Sequence, residues 1–267
     1  MGRVICVSNQ KGGVGKTTTA VNLAASLALA EKKTLIVDLD PQANATSGLG
    51  IRIENEDSVY HLLIQDLAPQ KILRHTSVEH LDLLPASTDL IGAEVEFMDI
   101  ERRESLLSKS ILPLLSAYDY IFIDCPPSLG FLTLNALVAA HSVLIPIQCE
   151  YYALEGVSNL LNTISRVRLT LNACLTIEGF LLTMFDPRNN LSHQVVEDVQ
   201  RNLGPQVFKT IIPRNVRLSE SPSFGKPVAL YDITSRGAIS YFALAKEIMD
   251  GEFSASTEKT FGLGAGS

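Results

Sequence analysis

The residues richest in chemistry are Asn9-Gln10-Lys11-Gly12-Gly13-Val14-Gly15-Lys16-Thr17-Thr18, set between an apolar run and a helical pattern. Glycines let a backbone fold tightly enough to turn its N–H groups inward onto phosphate oxygens. A helix beginning near Thr17 adds the positive end of its dipole. Lys16 would neutralise the β- and γ-phosphates, and the Thr17 hydroxyl would coordinate magnesium. The ordinary pattern G-x-x-x-x-G-K-[ST] fails here, because its first glycine falls at Gln10. Gly12, Gly13 and an extra lysine, Lys11, stand in its place. With a strand before it and a helix after it, the Gly15-Lys16-Thr17 triplet still points to a nucleotide rather than to an unliganded glycine turn.

A phosphate loop alone does not imply hydrolysis. Two further apolar runs end in acids: Leu35-Ile36-Val37-Asp38-Leu39-Asp40-Pro41-Gln42 and Tyr120-Ile121-Phe122-Ile123-Asp124-Cys125-Pro126-Pro127-Ser128. An acid at the tip of a buried strand beside the loop can hold magnesium directly or through water, and Asp124 fits that place. Asp40, two residues beyond its strand, can orient or polarise an attacking water. Either acid alone is explained as an ordinary turn residue. The pair together with the loop is stronger.

These residues need a scaffold that brings strand ends together. Val4–Ser8, Thr34–Asp38, Leu81–Pro85, Tyr120–Asp124, Ser142–Gln148 and Ile177–Thr183 read as strands, several of them apolar throughout, as in a sheet covered on both faces. Helical patterns fall at Thr17–Ala30, Ser87–Glu96, Ile100–Ala117, Phe131–Ala139, Leu154–Thr170, Ser192–Leu203 and Thr234–Asp250. The alternation predicts an α/β fold, a doubly wound and mostly parallel sheet with helices on both faces. Ligands of such sheets bind beyond the carboxyl ends of the strands, where the informative residues lie. Residues 1–250 read as one domain, Ile211–Val228 within it as an ordered loop, and 251–267 as a disordered tail rich in Ser, Thr and Gly.

The net charge of −7 argues against a generally basic nucleic-acid coat, but it is unevenly spread. Residues 31–105 carry 15 acidic and 7 basic residues, whereas 201–236 carry six basic and two acidic ones. A local positive surface can bind polyanions whatever the total, although charge alone is explained as well by a solvated loop face. Four widely spaced cysteines, Cys6, Cys125, Cys149 and Cys174, read as buried free thiols. No apolar run approaches a membrane span and the N-terminal residues lack the features of a secretory signal, so a cytoplasmic protein is expected.

The phosphate loop, the Asp38-Leu39-Asp40-Pro41-Gln42-Ala43-Asn44 stretch and Ile123-Asp124-Cys125-Pro126-Pro127-Ser128 resemble the deviant Walker A type of P-loop NTPase. Gln148-Cys149-Glu150-Tyr151-Tyr152-Ala153-Leu154-Glu155-Gly156 and Ile212-Pro213-Arg214-Asn215-Val216-Arg217-Leu218-Ser219-Glu220 narrow this: they resemble the ParA/Soj-type chromosome-partitioning ATPases of the ParA/MinD superfamily. The resemblance spans about residues 2–250. It implies an ATP hydrolase of slow intrinsic turnover, with Mg2+ as cofactor, that forms an ATP-bound sandwich homodimer. Lys11 is then the signature lysine reaching the partner's phosphates, as an arginine finger would. Gly12 keeps the two loops able to approach. Gly13, Val14, Gly15, Lys16, Thr17 and Thr18 complete the ATP-binding loop; Thr17 and Asp124 serve the metal. Asp40 matches the catalytic aspartate, and Pro213 and Asn215 match positions near the adenine.

The resemblance further implies that the dimer binds double-stranded DNA without sequence preference through Arg217 and Arg188, the latter preceded by Pro187. It also implies nucleoid association, and a centromere-binding ParB/Spo0J-like partner that stimulates hydrolysis. Relatives that cycle on membranes need an amphipathic C-terminal helix, which Phe253–Ser267 does not offer, so no membrane partner is expected. An electron-transfer ATPase would need cluster-bridging cysteines, and Cys125 has no evident companion in the sequence.

Overall fold

The computed structural model describes residues 2–53, 58–65, 67–97, 100–151 and 153–251. The expected tail falls outside these from residue 252 onward. In chain order the first elements are β1 (Arg3–Val7), α1 (Lys16–Leu29), β2 (Thr34–Asp38), α2 (Asn44–Gly48), α3 (Val59–Ile64), α4 (Pro69–Ile72), β3 (Arg74–His75), β4 (Leu81–Leu84), α5 (Ala93–Glu96) and α6 (Leu106–Ile111). Then follow β5 (Tyr120–Asp124), α7 (Phe131–Ala139), β6 (Ser142–Gln148), α8 (Glu155–Thr170), β7 (Thr176–Thr183), α9 (Asn190–Leu203), α10 (Val216–Glu220), α11 (Val228–Tyr231) and α12 (Arg236–Met249).

The strands form one sheet in the order β3-β4-β2-β5-β1-β6-β7. All pairings are parallel except that of the short edge strand β3 with β4. Successive side chains of a strand point to opposite faces. Accordingly Val4 and Cys6, Leu35 and Val37, and Ile121 and Ile123 enter one apolar core, while Ile5 and Val7, Ile36, and Phe122 enter a second on the other face. Helices α1 and α12 contribute Leu23, Leu27, Tyr241 and Leu244 to the second core; α7 and α8 contribute Ala136, Leu137, Leu160 and Ile164 to the first. This double cover is why the central strands read as unbroken apolar runs. The β1–β5 and β2–β5 registers align Val7 and Asp38 with Asp124, so three strands end at one level. Among the described residues no helix is long and apolar enough to cross a membrane.

The expected elements differ from the structure most clearly in three places. The expected helix at 87–96 is a 3-10 turn, Thr88–Ile91, followed by α5. The helix expected over 100–117 is broken: Arg102 is left-handed, at φ 57°, and Pro113, which lacks an N–H, ends α6 in a 3-10 turn. The stretch read as loop, 211–228, contains α10, whose first turn is capped by the Asn215 side chain accepting from the Arg217 N–H at 2.9 Å.

Candidate active site

The loop after β1 is held from both sides. The Asn9 side chain donates to the Pro146 carbonyl at 2.7 Å and accepts the Lys11 N–H at 3.0 Å, and the Thr183 hydroxyl donates to the Val14 carbonyl at 2.9 Å. Gly13 and Gly15 take φ of 75° and 89°, a left-handed conformation that costs glycine nothing. Gly15 is also the residue from which α1 springs, and no side chain caps that end, so its first N–H groups remain available to an anion.

Lys16 is only 7% exposed, and its ammonium donates to the Lys11 carbonyl at 3.1 Å. Burial lowers its pKa, while Asp124, Cys125 and Asp40 pull it back upward. Asp124 is fully buried, and neither carboxylate oxygen has a hydrogen-bond partner. Burial first, and then the neighbouring Asp38, push its pKa well above the usual carboxylate range; the nearby Thr17 hydroxyl opposes them. Asp38 is pushed up to about 6 by the same burial, against the hydrogen bonds it accepts from Thr46 and Asp40. Asp40 is 6% exposed and accepts the Gln42 N–H at 3.0 Å. Gly12, Gly13, Lys16, Thr17, Asp40 and Pro127 thus face one open cleft of about 380 Å³.

Beside it lies a cavity of about 400 Å³, lined by Gly15, Thr18, Met184, Ile212, Pro213 and Asn215 among others. Phe185 and Pro213 pair as an isolated parallel bridge, which brings the chain after β7 against the segment leading into α10. Pro213 and Asn215, far from the phosphate loop in sequence, therefore sit next to Gly15 and Thr18.

Lys11 stands apart from this buried set. Its ammonium is 3.9 Å from Glu150, which also lies 3.5 Å from the Arg214 guanidinium and accepts from Gln148 at 2.6 Å. The two arginines singled out for polyanions carry acids of their own. Arg188 is bidentate on Asp186, at 3.0 and 2.8 Å, and this contact holds the Asp186 carboxyl down at about 2. Arg217 bonds Glu220 at 2.8 Å and Asp232 at 3.3 Å, and lies 5.9 Å above the Tyr231 ring.

Sequence reasoning missed Asp38 and Thr46, whose bonds cross between elements, and Glu150. It also missed that Cys6 lies beside Cys125, with sulfurs 3.3 Å apart; burial and then Cys6 push the Cys125 thiol up. Alternation places Cys6 inward on β1, but pairing it with Cys125 requires the β1–β5 register. Cys174, expected to be buried, is exposed.

A family profile described as an AAA domain (AAA_31) matches residues 2–177. The chain is 60% identical over 250 residues to the chromosome partitioning protein ParA of Myxococcus xanthus, covering 93% of this chain and 88% of that protein. It is 56% identical over 249 residues to the sporulation initiation inhibitor protein Soj of Bacillus subtilis, covering 93% and 98%. Among solved structures, cobyrinic acid a,c-diamide synthase from Mycobacterium smegmatis with bound ATP analog and magnesium is 39% identical and superposes with a TM-score of 0.81, covering 92% of this chain and 93% of that one. With a seven-stranded, mostly parallel sheet and these relatives, the chain belongs to the ParA/Soj family of chromosome-partitioning ATPases.

Proposed function

We propose that this chain is an ATP-dependent dimerising switch for partitioning a chromosome or plasmid, its ATP-bound dimer holding DNA and its hydrolysis releasing it. The observation that carries this reading is the cleft lined by Lys16, Thr17 and Asp40, with the buried, partnerless Asp124 close enough to Lys16 to raise its pKa. Lys11 stands beside that cleft with its ammonium directed to Glu150.

Lys16 neutralises the β- and γ-phosphates, and the loop N–H groups from Gly12 to Thr18, Val14 included, surround their oxygens. Buried carboxylate oxygens without a partner are costly. Thr17 and Asp124 fit a magnesium ion for that reason, with Asp124 acting directly or through a water. Magnesium, when bound, supplies charge neutralisation at the phosphate oxygens. Asp40 orients the attacking water, and its place in the same cleft as Lys16 supports that role. Pro213 and Asn215 receive the adenine in the neighbouring cavity. The ATP analog and magnesium bound by the Mycobacterium smegmatis relative support both ligands.

Lys11 acts across the dimer on the partner's phosphates, adding positive charge where the transition state gathers negative charge. A methyl group at Gly12 would meet nothing within 4 Å, so the fold itself does not exclude a side chain there. Close approach of a second chain does. Arg188 and Arg217 contact DNA phosphates. Joining two such faces on one duplex raises avidity, so dimerisation switches DNA binding on. Intrinsic turnover is slow, and a ParB/Spo0J-like protein stimulates it. The protein acts in the cytoplasm on the nucleoid, as one ATPase domain over residues 1–250.

Molecular mass and duplex binding measured with ADP, ATP and a non-hydrolysable analogue test this. The expected result is a dimer that binds DNA only with ATP or the analogue. A monomer in every nucleotide state, or DNA binding indifferent to nucleotide, removes the switch.

A further inference from the structure

The loop Leu39–Ala43 that carries Asp40 is short, and it leads into a helix of only five residues, α2. That helix enters through Ala43, a non-glycine residue at φ 50°, with no side-chain cap, so it is weakly self-supporting. Besides the packing of Ala45 into the second core, one residue ties it to β2 by hydrogen bonds. Thr46 is 3% exposed, and both its hydroxyl and its N–H donate to the same Asp38 oxygen, at 2.7 and 2.8 Å. The hydroxyl in turn accepts the Ala86 N–H at 3.1 Å, just beyond β4. The other Asp38 oxygen accepts the Asp40 N–H at 3.2 Å. A continuous chain of hydrogen bonds therefore runs from Ala86 through Thr46 and Asp38 to the Asp40 backbone. Both ends of the Asp40 loop are fixed to one buried carboxylate, and Leu39 is further bonded to the Asp124 carbonyl at 3.0 Å.

We infer that Thr46 is a positioning residue for ATP hydrolysis: through Asp38 it holds the Asp40 loop where the Asp40 carboxylate can act. This rests on the catalytic reading of Asp40 proposed above. Thr46 lines neither the phosphate cleft nor the cavity beside it, so it has no direct part in holding the nucleotide. Losing its hydroxyl leaves the buried Ala86 N–H without a partner and the Asp38 oxygen with the Thr46 N–H alone, and the loop gains an alternative arrangement. The cost should then fall on turnover rather than on ATP affinity, because a displacement of about 1 Å at a reacting group lowers rates by about a hundredfold.

The test uses the full chain with labelled ATP, following phosphate release and equilibrium ATP binding in Thr46→Val, Thr46→Ser, Asp40→Ala and the double variant Thr46→Val/Asp40→Ala. Thr46→Val should lose about ten- to a hundredfold in kcat with ATP affinity within about threefold of wild type. Thr46→Ser, which keeps the hydroxyl, should restore kcat. In the Asp40→Ala background the valine substitution should cost nothing further, since positioning an absent carboxylate has no value. Wild-type kcat in Thr46→Val, an equal loss in Thr46→Ser, or an undiminished further loss on Asp40→Ala overturns the inference. Thr46→Ala repeats the test without a methyl against Ala86; failure of both hydroxyl-free variants to bind ATP makes Thr46 merely structural and also overturns it. Wild-type turnover in Asp40→Ala alone is a different failure: it removes the catalytic reading of Asp40 itself.

Discussion

Replacing Arg217 by alanine should change how DNA binding depends on salt, by an amount that follows from the number of phosphate contacts removed. Arg217 is half exposed and already carries two acids, Glu220 at 2.8 Å and Asp232 at 3.3 Å. Exposed pairs of this kind are worth only about 0–1 kcal/mol, so a phosphate can compete for the guanidinium. An ATP-bound dimer presents the residue twice. If each copy neutralises one phosphate, the log–log salt slope should become shallower by about 1.8, at about 0.9 per contact. Between about 50 and about 200 mM salt, the wild-type advantage over Arg217→Ala should then shrink about twelvefold. The assay is titration of a short fluorescent duplex at several salt concentrations with a non-hydrolysable ATP analogue, with dimer mass checked in parallel. Removing the competing acids should act in the opposite sense: Glu220→Gln or Asp232→Asn should each raise affinity by up to about fivefold for each copy of Arg217 engaged. An Arg217→Ala dimer that forms normally and keeps the wild-type slope would show that the DNA face lies elsewhere.

Lys16→Ala should abolish ATP binding, as followed by calorimetry, because Lys16 is the buried cation that lines the cleft; strong binding by this variant would remove the phosphate-loop assignment. Asp40→Ala should bind ATP, dimerise and retain DNA but release little phosphate, and normal turnover would exclude Asp40 from catalysis. Asp124→Asn should stabilise the nucleotide-free protein while impairing hydrolysis. The sign follows from the raised pKa: the unfolded chain ionises Asp124 from about pH 4, whereas the fold resists its charge until a much higher pH. The wild type therefore loses stability as pH rises through that window, and asparagine does not. The gain in Tm for Asp124→Asn should accordingly be small near pH 4 and largest near pH 8; a gain unchanged across that range would contradict the burial argument.

The central strands were legible because a sheet covered on both faces leaves no polar position in them, as in Val4–Val7 and Ile121–Ile123. The phosphate loop was legible because glycine at a left-handed φ, a following lysine and a helix start are consecutive in sequence. The Asp40 clamp was not, since the Thr46 hydroxyl meets Ala86 forty residues away and only the β2–β4 pairing brings them together. Helix α10 carried a local signal, Asn215 as a side-chain cap, but Pro213 and the Ser and Pro residues after Glu220 outweighed it and gave a loop reading. The acids on Arg188 and Arg217 divide in the same way. Asp186 is two residues from Arg188, whereas Asp232 reaches Arg217 only through the fold.

Under the proposed switch, Lys11 completes its partner's site rather than its own. Mixing two inactive chains, Lys11→Ala and Asp40→Ala, tests it most directly. In a mixed dimer one cleft combines the intact Asp40 of the first chain with the Lys11 of the second, so phosphate release should reappear on mixing. Mixed dimers that form, by mass, yet hydrolyse no faster than either chain alone would contradict it.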